Sequence, residues 1–304
     1  MQMSQFDLDG RVAVVTGAGN GLGRAEALAL AAAGARLVLN DLPGDALDAV
    51  AAEIRDGGGQ AVVCPGDVAE WSTGAALLAA AVGTLGSLDV LVNNAGVLRD
   101  KMVFGMSADE WDLVIRVHLR GHFVTTRHAT AHWRARSKAT QAPVYARIVN
   151  TSSEAFLLGS AGQANYAAAK AGIVALTLST ARGCAAYGVR ANAICPRART
   201  RMTEELMGGA PQAGDDPLSP ARVAPLVAYL ASPAAEAISG EVFVVHSDVV
   251  AVLEAPALRS AHRTPDGGPW TVKSLHDAIG VPSERGFVCE ATLPLADSTF
   301  GETT

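Results

Sequence analysis

The chain has 304 residues, with 24 basic and 30 acidic side chains, a net charge of −6, and 49% hydrophobic against 18% charged content. That balance excludes the disorder signature and a basic nucleic-acid-binding surface, and no apolar run reaches the roughly 18 residues that cross a bilayer. The opening MQMSQFDLDG lacks the regions of a signal peptide, and Cys64, Cys184, Cys195 and Cys289 form no CxxC pair, which predicts reduced thiols in a cytoplasmic protein.

Short β-branched runs alternate with longer Ala/Leu stretches of helical period. Strands are predicted at residues 12–15, 37–40, 61–64, 90–92, 148–150, 191–194 and 242–245. Helices are predicted at 23–33, 46–55, 75–82, 108–136, 166–186 and 221–230, the fourth opened by a Ser107/Glu110 capping box. This alternation implies right-handed βαβ crossovers and strands covered on both faces. The fold class is α/β, a single doubly wound, Rossmann-type parallel sheet over residues 8–250. Residues 203–220, rich in Gly, Pro and Asp, read as a mobile loop carrying one short helix. The expected division is a dinucleotide-binding and catalytic domain at 1–250 and a C-terminal extension at 251–304. The extension carries Trp270, Leu275, Ile279, Phe287, Val288 and Leu293, too apolar for a flexible tail. Thr271 is a plausible N-cap for a helix stopped by Gly280 and followed by Pro282. An ordered extension is expected, packed on its own domain or on a neighbouring subunit.

The first strand runs into Thr16-Gly17-Ala18-Gly19-Asn20-Gly21-Leu22-Gly23, and a helix follows at once. Glycines there permit a tight turn and let backbone N–H groups approach a pyrophosphate at the helix N-terminus. A structural turn is the alternative; the position between strand and helix weighs against it. Asp41 closes the second strand, where a carboxylate accepts hydrogen bonds from both adenosine ribose hydroxyls and repels a 2′-phosphate. With no Lys or Arg at 18–20 or 42–44, the cofactor expected is NAD(H) rather than NADP(H), unless Asp41 is simply an exposed strand end. Gly66-Asp67-Val68 and Asn93-Asn94-Ala95-Gly96 close the third and fourth strands, at carboxyl ends where such sheets bind ligands.

Tyr166 and Lys170, four apart on a helix, share one face, and Ser153 lies just past the fifth strand. Interconverting a ketone and an alcohol moves a hydride and a proton. A phenolate base near neutral pH requires a downward shift of roughly 3 units from tyrosine's ordinary value. A neighbouring ammonium and a nicotinamide charge together can supply it.

Taken in order, Thr16-Gly17-x-x-x-Gly21-x-Gly23, Asp67, Asn93-Asn94-Ala95-Gly96, Ser153 and Tyr166-x-x-x-Lys170 resemble the short-chain dehydrogenase/reductase family over residues 8–250. The resemblance implies that Ser153 orients the substrate oxygen and Tyr166 is the acid/base. Lys170 would bind the nicotinamide ribose and depress the tyrosine pKa. The cofactor contacts it implies are Gly17, Asn20, Gly21, Leu22, Gly23, Asp41, Asp67, Val68, Asn94, Ala95, Gly96, Tyr166, Lys170, Pro196, Ala198 and Thr200. Asp67 would meet adenine, Asn94 the adenosine ribose side, and 196–200 the carboxamide and pyrophosphate. A finer resemblance, carried by residues 116–121, 150–153, 162–170 and 199–203, is to the (3R)-hydroxyacyl-CoA dehydrogenase unit of peroxisomal multifunctional enzymes and its bacterial relatives. That subgroup implies NAD and acyl-CoA or steroid-derived substrates, hence lipid metabolism. The family implies a homodimer or homotetramer, with no membrane or nucleic-acid partner.

His118 stands where most of the family carries Asn, and is expected to serve in the proton relay although imidazole titrates near pH 6.5. His118 and His122, like His128 and His132, are spaced i,i+4, but no Cys, Asp or Glu completes a metal set, and no metal is expected. Glu154 is expected to face solvent, the alternative being the substrate. Arg197, Arg199 and Arg201 read as solvated or subunit-contact residues, the alternative being a CoA phosphate. Three functions remain open on sequence: a 3-hydroxyacyl-CoA dehydrogenase, a dehydrogenase of a free steroid, terpene or other secondary alcohol, and a non-catalytic dinucleotide sensor.

Overall fold

A computed structural model describes residues 5–203, 208–211, 215–256, 258, 260–264 and 267–280. The strands are β1 (Val12–Thr16), β2 (Arg36–Asn40), β3 (Ala61–Val63), β4 (Val90–Asn93), β5 (Ala146–Thr151), β6 (Val189–Pro196), β7 (Val242–His246) and β8 (Val249–Val252). They form one sheet in the order β3-β2-β1-β4-β5-β6-β7-β8. The first seven pair in parallel, as the apolar runs predict. β8 departs from the all-parallel expectation. It returns antiparallel to β7, with Phe243 opposite Val252 and His246 opposite Val249. Ser247, at φ +48°, takes the left-handed conformation that the tight turn demands and that glycine adopts more cheaply. The first compact unit therefore runs to Leu253 and the second covers Glu254–Thr304.

The helices are α1 (Gly21–Ala32), α2 (Asp45–Asp56), α3 (Trp71–Ala79), α4 (Ala108–Ile115), α5 (Gly121–Thr140), α6 (Ala155–Leu158), α7 (Ala164–Cys184), α8 (Ala224–Ala231) and α9 (Val272–Ile279). The capping box at α4 forms in both directions: Ser107 Oγ accepts from Glu110 N at 3.2 Å, and Glu110 Oε2 accepts from Ser107 N at 2.8 Å. The predicted helix over 108–136 is interrupted by a single π turn, Arg116–Arg120, which carries His118; such turns recur at functional positions. Two apolar layers cover the sheet. Leu30, Leu37, Leu39, Val50, Val227 and Leu230 fill one face, and Leu77, Leu91, Ile148 and Trp133 fill the other. Between β4, β5, α5 and α7 runs a buried polar chain. Thr125 Oγ1 donates to Asn93 Oδ1 at 2.6 Å, Asn93 Nδ2 to Asn150 Oδ1 at 2.9 Å, and Asn150 Nδ2 to Thr177 Oγ1 at 2.8 Å. A fully satisfied network of this kind fixes one register among strands whose apolar side chains alone would tolerate several. Residues 204–207 and 212–214 of the 203–220 loop lie outside the described residues, as do Pro282, Phe287, Val288 and Leu293.

Candidate active site

The strand order reverses between β1 and β4, and the crevice at their carboxyl ends opens into a cavity of about 840 Å³. Fifteen of the expected cofactor contacts line it: Gly17, Asn20, Gly21, Leu22, Asp41, Asp67, Val68, Asn94, Ala95, Gly96, Tyr166, Lys170, Pro196, Ala198 and Thr200. Gly23 lies beneath the loop instead. A Cβ there would stand 2.2 Å from the Gly17 carbonyl oxygen, so this glycine lets helix and turn close on each other. Gly17, at φ +66°, is equally constrained, with Asn94 Nδ2 2.9 Å from where a Cβ would sit.

The loop is braced from the fourth strand. Thr16 Oγ1 accepts from Asn94 N at 3.0 Å and from Ala95 N at 3.2 Å, while Asn94 Nδ2 donates to Thr16 O and Gly17 O. The Asn94 side chain is thus committed to holding the loop, beyond the ribose contact the family pattern implies. Asp41 Oδ2 accepts from Gly19 N at 3.0 Å and Oδ1 from Leu42 N at 2.8 Å. Asp67 meets Arg116 at 2.7 Å, and Arg116 reaches on to Glu70 at 2.6 Å. Asn20 makes no side-chain cap to α1, so the first N–H groups of that helix are left for an anion. A dinucleotide pyrophosphate fits this cradle.

At the other end of the cavity stand His118, Tyr166 and Lys170. Lys170 is buried, its Nζ donating to Thr151 O at 2.6 Å and lying 5.3 Å from the Tyr166 ring centre. Ser152 Oγ donates to Lys170 O at 2.9 Å, fastening α7 to the end of β5. Ser153 lies near enough to Tyr166 to draw its phenol down, so the structure brings the three sequence-predicted groups together. Their electrostatics differ from the expectation. Burial pushes the Tyr166 phenol up to about 12, Ser153 only partly opposing it. Burial likewise brings Lys170 down to about 7. Among the chain's own groups, desolvation therefore dominates the phenol, against the expectation that the neighbouring ammonium depresses it. His118 Nε2 bridges to the Val97 backbone, 2.8 Å from its oxygen and 3.0 Å from its nitrogen. Burial, with the Lys170 charge, holds His118 well below its ordinary value of 6.5.

Two expectations are corrected. Glu154 is buried rather than solvated, and it grips Arg197 with both oxygens. Arg199 binds Asp216 at 3.1 Å and the Gly208 carbonyl, so of the three arginines Arg201 alone is exposed. Thr16, Thr151 and Arg116 enter the site unforeseen. Thr16 was legible as the first residue of the loop, whereas the backbone acceptor at Thr151 and the Arg116–Asp67 pair left no pattern in the sequence.

The sequence model of the short chain dehydrogenase family matches residues 11–208. Hydroxyacyl-CoA dehydrogenase ChsB1 of Mycobacterium tuberculosis is 54% identical over 278 residues, 88% of this chain and 87% of that protein. Peroxisomal multifunctional enzyme type 2 of Mus musculus is 44% identical over 236 residues, 75% of this chain but 30% of that longer protein. Among solved structures, a short chain dehydrogenase from Mycobacterium avium superposes with a TM-score of 0.81 at 48% identity, covering 89% of this chain and 93% of that one. Members of this family work with a nicotinamide dinucleotide. The loop, the Ser–Tyr–Lys cluster and the family match fall on the same elements: this chain belongs to the short-chain dehydrogenase family and is an oxidoreductase interconverting a secondary alcohol and a ketone.

Proposed function

We propose that the protein is an NAD-dependent dehydrogenase of 3-hydroxyacyl-CoA thioesters, steroid-derived acyl chains included, and so an enzyme of lipid metabolism. The observation that carries this reading is one continuous cavity lined by Asp41 toward the adenosine end and by Tyr166, Lys170 and His118 toward the reacting end. Asp41 supports NAD because its carboxylate favours free ribose hydroxyls and repels a 2′-phosphate. The thioester is supported by the 54% identity to a hydroxyacyl-CoA dehydrogenase across most of both chains.

NAD+, when bound, supplies the acceptor for the hydride leaving the alcohol carbon. The chain's own residues do the rest. Ser153 Oγ holds the alcohol oxygen in line with Tyr166, whose Oη would take the hydroxyl proton as phenolate, a form that burial alone disfavours and that the positive nicotinamide of bound NAD+ would have to stabilise. Lys170 Nζ, anchored on Thr151 O and pushed down to about 7, exchanges protons where a general base works best. His118, kept neutral, orients the 94–97 segment through Val97 rather than carrying charge. A cytoplasmic location accords with the unpaired Cys64, Cys184 and Cys195. No helix among the described residues is long and apolar enough to cross a membrane. Assembly as a homodimer or homotetramer through the surfaces of α5 and α7 completes the reading.

The test is steady-state oxidation of 3-hydroxyacyl-CoA thioesters beside free steroid, terpene and polyol alcohols, each with NAD+ and NADP+. Highest kcat/KM with a thioester and NAD+ is expected. A free alcohol turned over more efficiently than every thioester overturns the substrate assignment, and preference for NADP+ overturns the cofactor.

A further inference from the structure

Four arginines line the cavity: Arg99, Arg116, Arg199 and Arg201. Two of them are held by carboxylates of the chain. Arg116 binds Asp67 at 2.7 Å and Glu70 at 2.6 Å, and Arg199 binds Asp216 at 3.1 Å. Arg99 and Arg201 are exposed and pair with no carboxylate among the described residues. The Arg99 guanidinium gives one hydrogen bond, from Nη1 to the carbonyl of its neighbour Leu98 at 2.6 Å. A solitary exposed arginine is ordinary solvated surface. Here two, from separate segments, reach one cavity in a chain of net charge −6.

The backbone fixes where each stands. Arg99 lies in the segment after β4, and its carbonyl oxygen accepts from Nδ2 of Asn165, the residue before Tyr166, at 3.0 Å. Lys101 N donates to Gly162 O at 2.7 Å, which fastens the same segment to the turn that opens α7. Arg201 stands in the turn after β6. That turn is locked by Thr203, whose Oγ1 accepts from Thr200 N at 2.9 Å and donates to Ala198 O at 2.7 Å.

The opposite end of the cavity has the opposite sign. Asp41 and Asp67 line it beside Arg116, and Glu70 binds the same guanidinium. Three carboxylates against one cation leave that end acidic, which suits an adenosine with free ribose hydroxyls and rejects one carrying a phosphate. The two nucleotides of a thioester dehydrogenase differ in this respect. NAD has bare riboses, whereas CoA carries a 3′-phosphate besides its diphosphate. A guanidinium fork matches phosphate oxygens two at a time, and the uncharged pantetheine and acyl parts make no such demand. We propose that Arg99 and Arg201 form the subsite for the phosphorylated nucleotide head of the acyl-CoA, so that the cavity sorts its two nucleotides by charge. The proposal rests on the thioester reading given above.

The experiment uses the full chain with NAD+ and two thioesters of racemic 3-hydroxyoctanoate. One is the CoA thioester; the other is the N-acetylcysteamine thioester, which keeps the reacting atoms and lacks the nucleotide. The parent is compared with R99M, R201M, the double variant R99M/R201M and the double variant R99K/R201K. The parent is expected to favour the CoA thioester in kcat/KM. Each single Met variant raises KM for the CoA thioester by about tenfold, the loss expected for a hydrogen bond between charged groups, and leaves KM for NAD+ near parental. R99M/R201M closes the gap between the two thioesters. R99K/R201K falls between, because an ammonium keeps the charge without the fork. Added salt weakens the parent's hold on the CoA thioester more than that of R99M/R201M. Should a Met variant fail to fold, the Lys variant and the salt series decide. A parent that treats the two thioesters alike, or variants that keep its preference, overturns the subsite while the thioester reading stands. A rise in KM for NAD+ in place of the CoA thioester assigns the arginine to the cofactor's pyrophosphate and overturns it too. A parent that prefers free alcohols to both thioesters overturns the thioester reading, and the subsite with it.

Discussion

The imidazole of His118 stands edge-on to the ring of Tyr166, the two centres 5.3 Å apart at 86°. Burial and the Lys170 charge keep that imidazole neutral well below 6.5. The sign follows: on acidification the native state resists a proton that the unfolded chain accepts, so stability falls as pH drops through the ordinary histidine value. His122, one turn on and brought down to about 3, adds to the same loss. The expected outcome is a kcat/KM profile whose limb near neutral pH, set by Lys170 at about 7, is unchanged in H118N, and a melting temperature that falls below about pH 6.5. In H118A the Val97 backbone loses its partner, which costs about 1–3 kcal/mol. Thermal melting of parent and H118A across pH checks the second statement. A limb near 6.5 that vanishes in H118N would show the imidazole titrating in the reaction.

Asp41 has two duties, as the proposed ribose acceptor and as the acceptor for Gly19 N and Leu42 N. Removing it in D41A is expected to narrow the preference for NAD+ over NADP+ by lifting repulsion. It also gives up hydrogen bonds to a charged group worth about 1.5–3 kcal/mol each. Because the phosphate loop loosens as well, KM rises for both cofactors. Kinetics with the two cofactors separate these effects, and an unchanged ratio in D41A would remove Asp41 from cofactor choice.

Tyr166→Phe keeps the ring against His118 and loses only the hydroxyl. Turnover is expected to fall by about 10²-fold or more, with NADH binding near the parental value by fluorescence titration. Lys170→Met instead strips the Thr151 carbonyl of its partner, and is expected to weaken both NADH binding and turnover. Near-parental rates in Tyr166→Phe would refute the acid/base assignment.

These groups show what a sequence displays and what it hides. All seven parallel strands were legible because a strand covered on both faces is a run of apolar residues, as at Val90–Asn93. β8 was not: it is four residues long, half exposed, and made by a hairpin turning at Ser247 where a glycine would have announced it. The Tyr166, Lys170 and Ser153 cluster was legible through spacing on one helix and one strand end. The Glu154–Arg197 pair spans 43 positions, and burial of a charge next to a catalytic serine is a property of the packed corner, with no local signature. The same holds for Glu26, which looks like any polar residue of an amphipathic helix.

Glu26 on α1 is fully buried, and neither of its carboxyl oxygens has a hydrogen-bond partner. Burial pushes it up to about 8, with Lys170 opposing. The native state therefore keeps a proton that the unfolded chain sheds near 4.5. The stability this group contributes is full below about 4.5 and is lost as pH rises through about 8. E26Q, which has no proton to lose, is expected to melt higher than the parent at pH 8–9, by about 2–4 °C for each kcal/mol, and to differ little at pH 5. Calorimetry at the two pH values checks it; a difference of the same size at both would place the effect in packing rather than ionisation.

The second unit supplies the last prediction. Thr271 Oγ1 accepts from Ser274 N at 3.1 Å and Gly280, at φ +57°, ends α9, as the sequence suggested. Eight residues make a helix well short of the roughly 12–15 that hold together alone in water. Yet α9 carries Val272, Leu275 and Ile279 along one side, 87%, 37% and 50% exposed, with Trp270 just before it at 38%. A short capped helix with an apolar side is stable when that side is covered, so the extension is expected to pack on its own domain or on a neighbouring subunit. Covering the part of Trp270 and Leu275 still exposed contributes about 1–2 kcal/mol before ordering costs. Deleting residues 255–304 spares β8 and the Leu253 N–H bond to Val242 O at 2.8 Å, so the sheet and the cofactor crevice survive. The truncated protein should still bind NADH but melt lower or elute at a smaller assembly mass by light scattering. Unchanged melting temperature, mass and activity would show the extension to be dispensable.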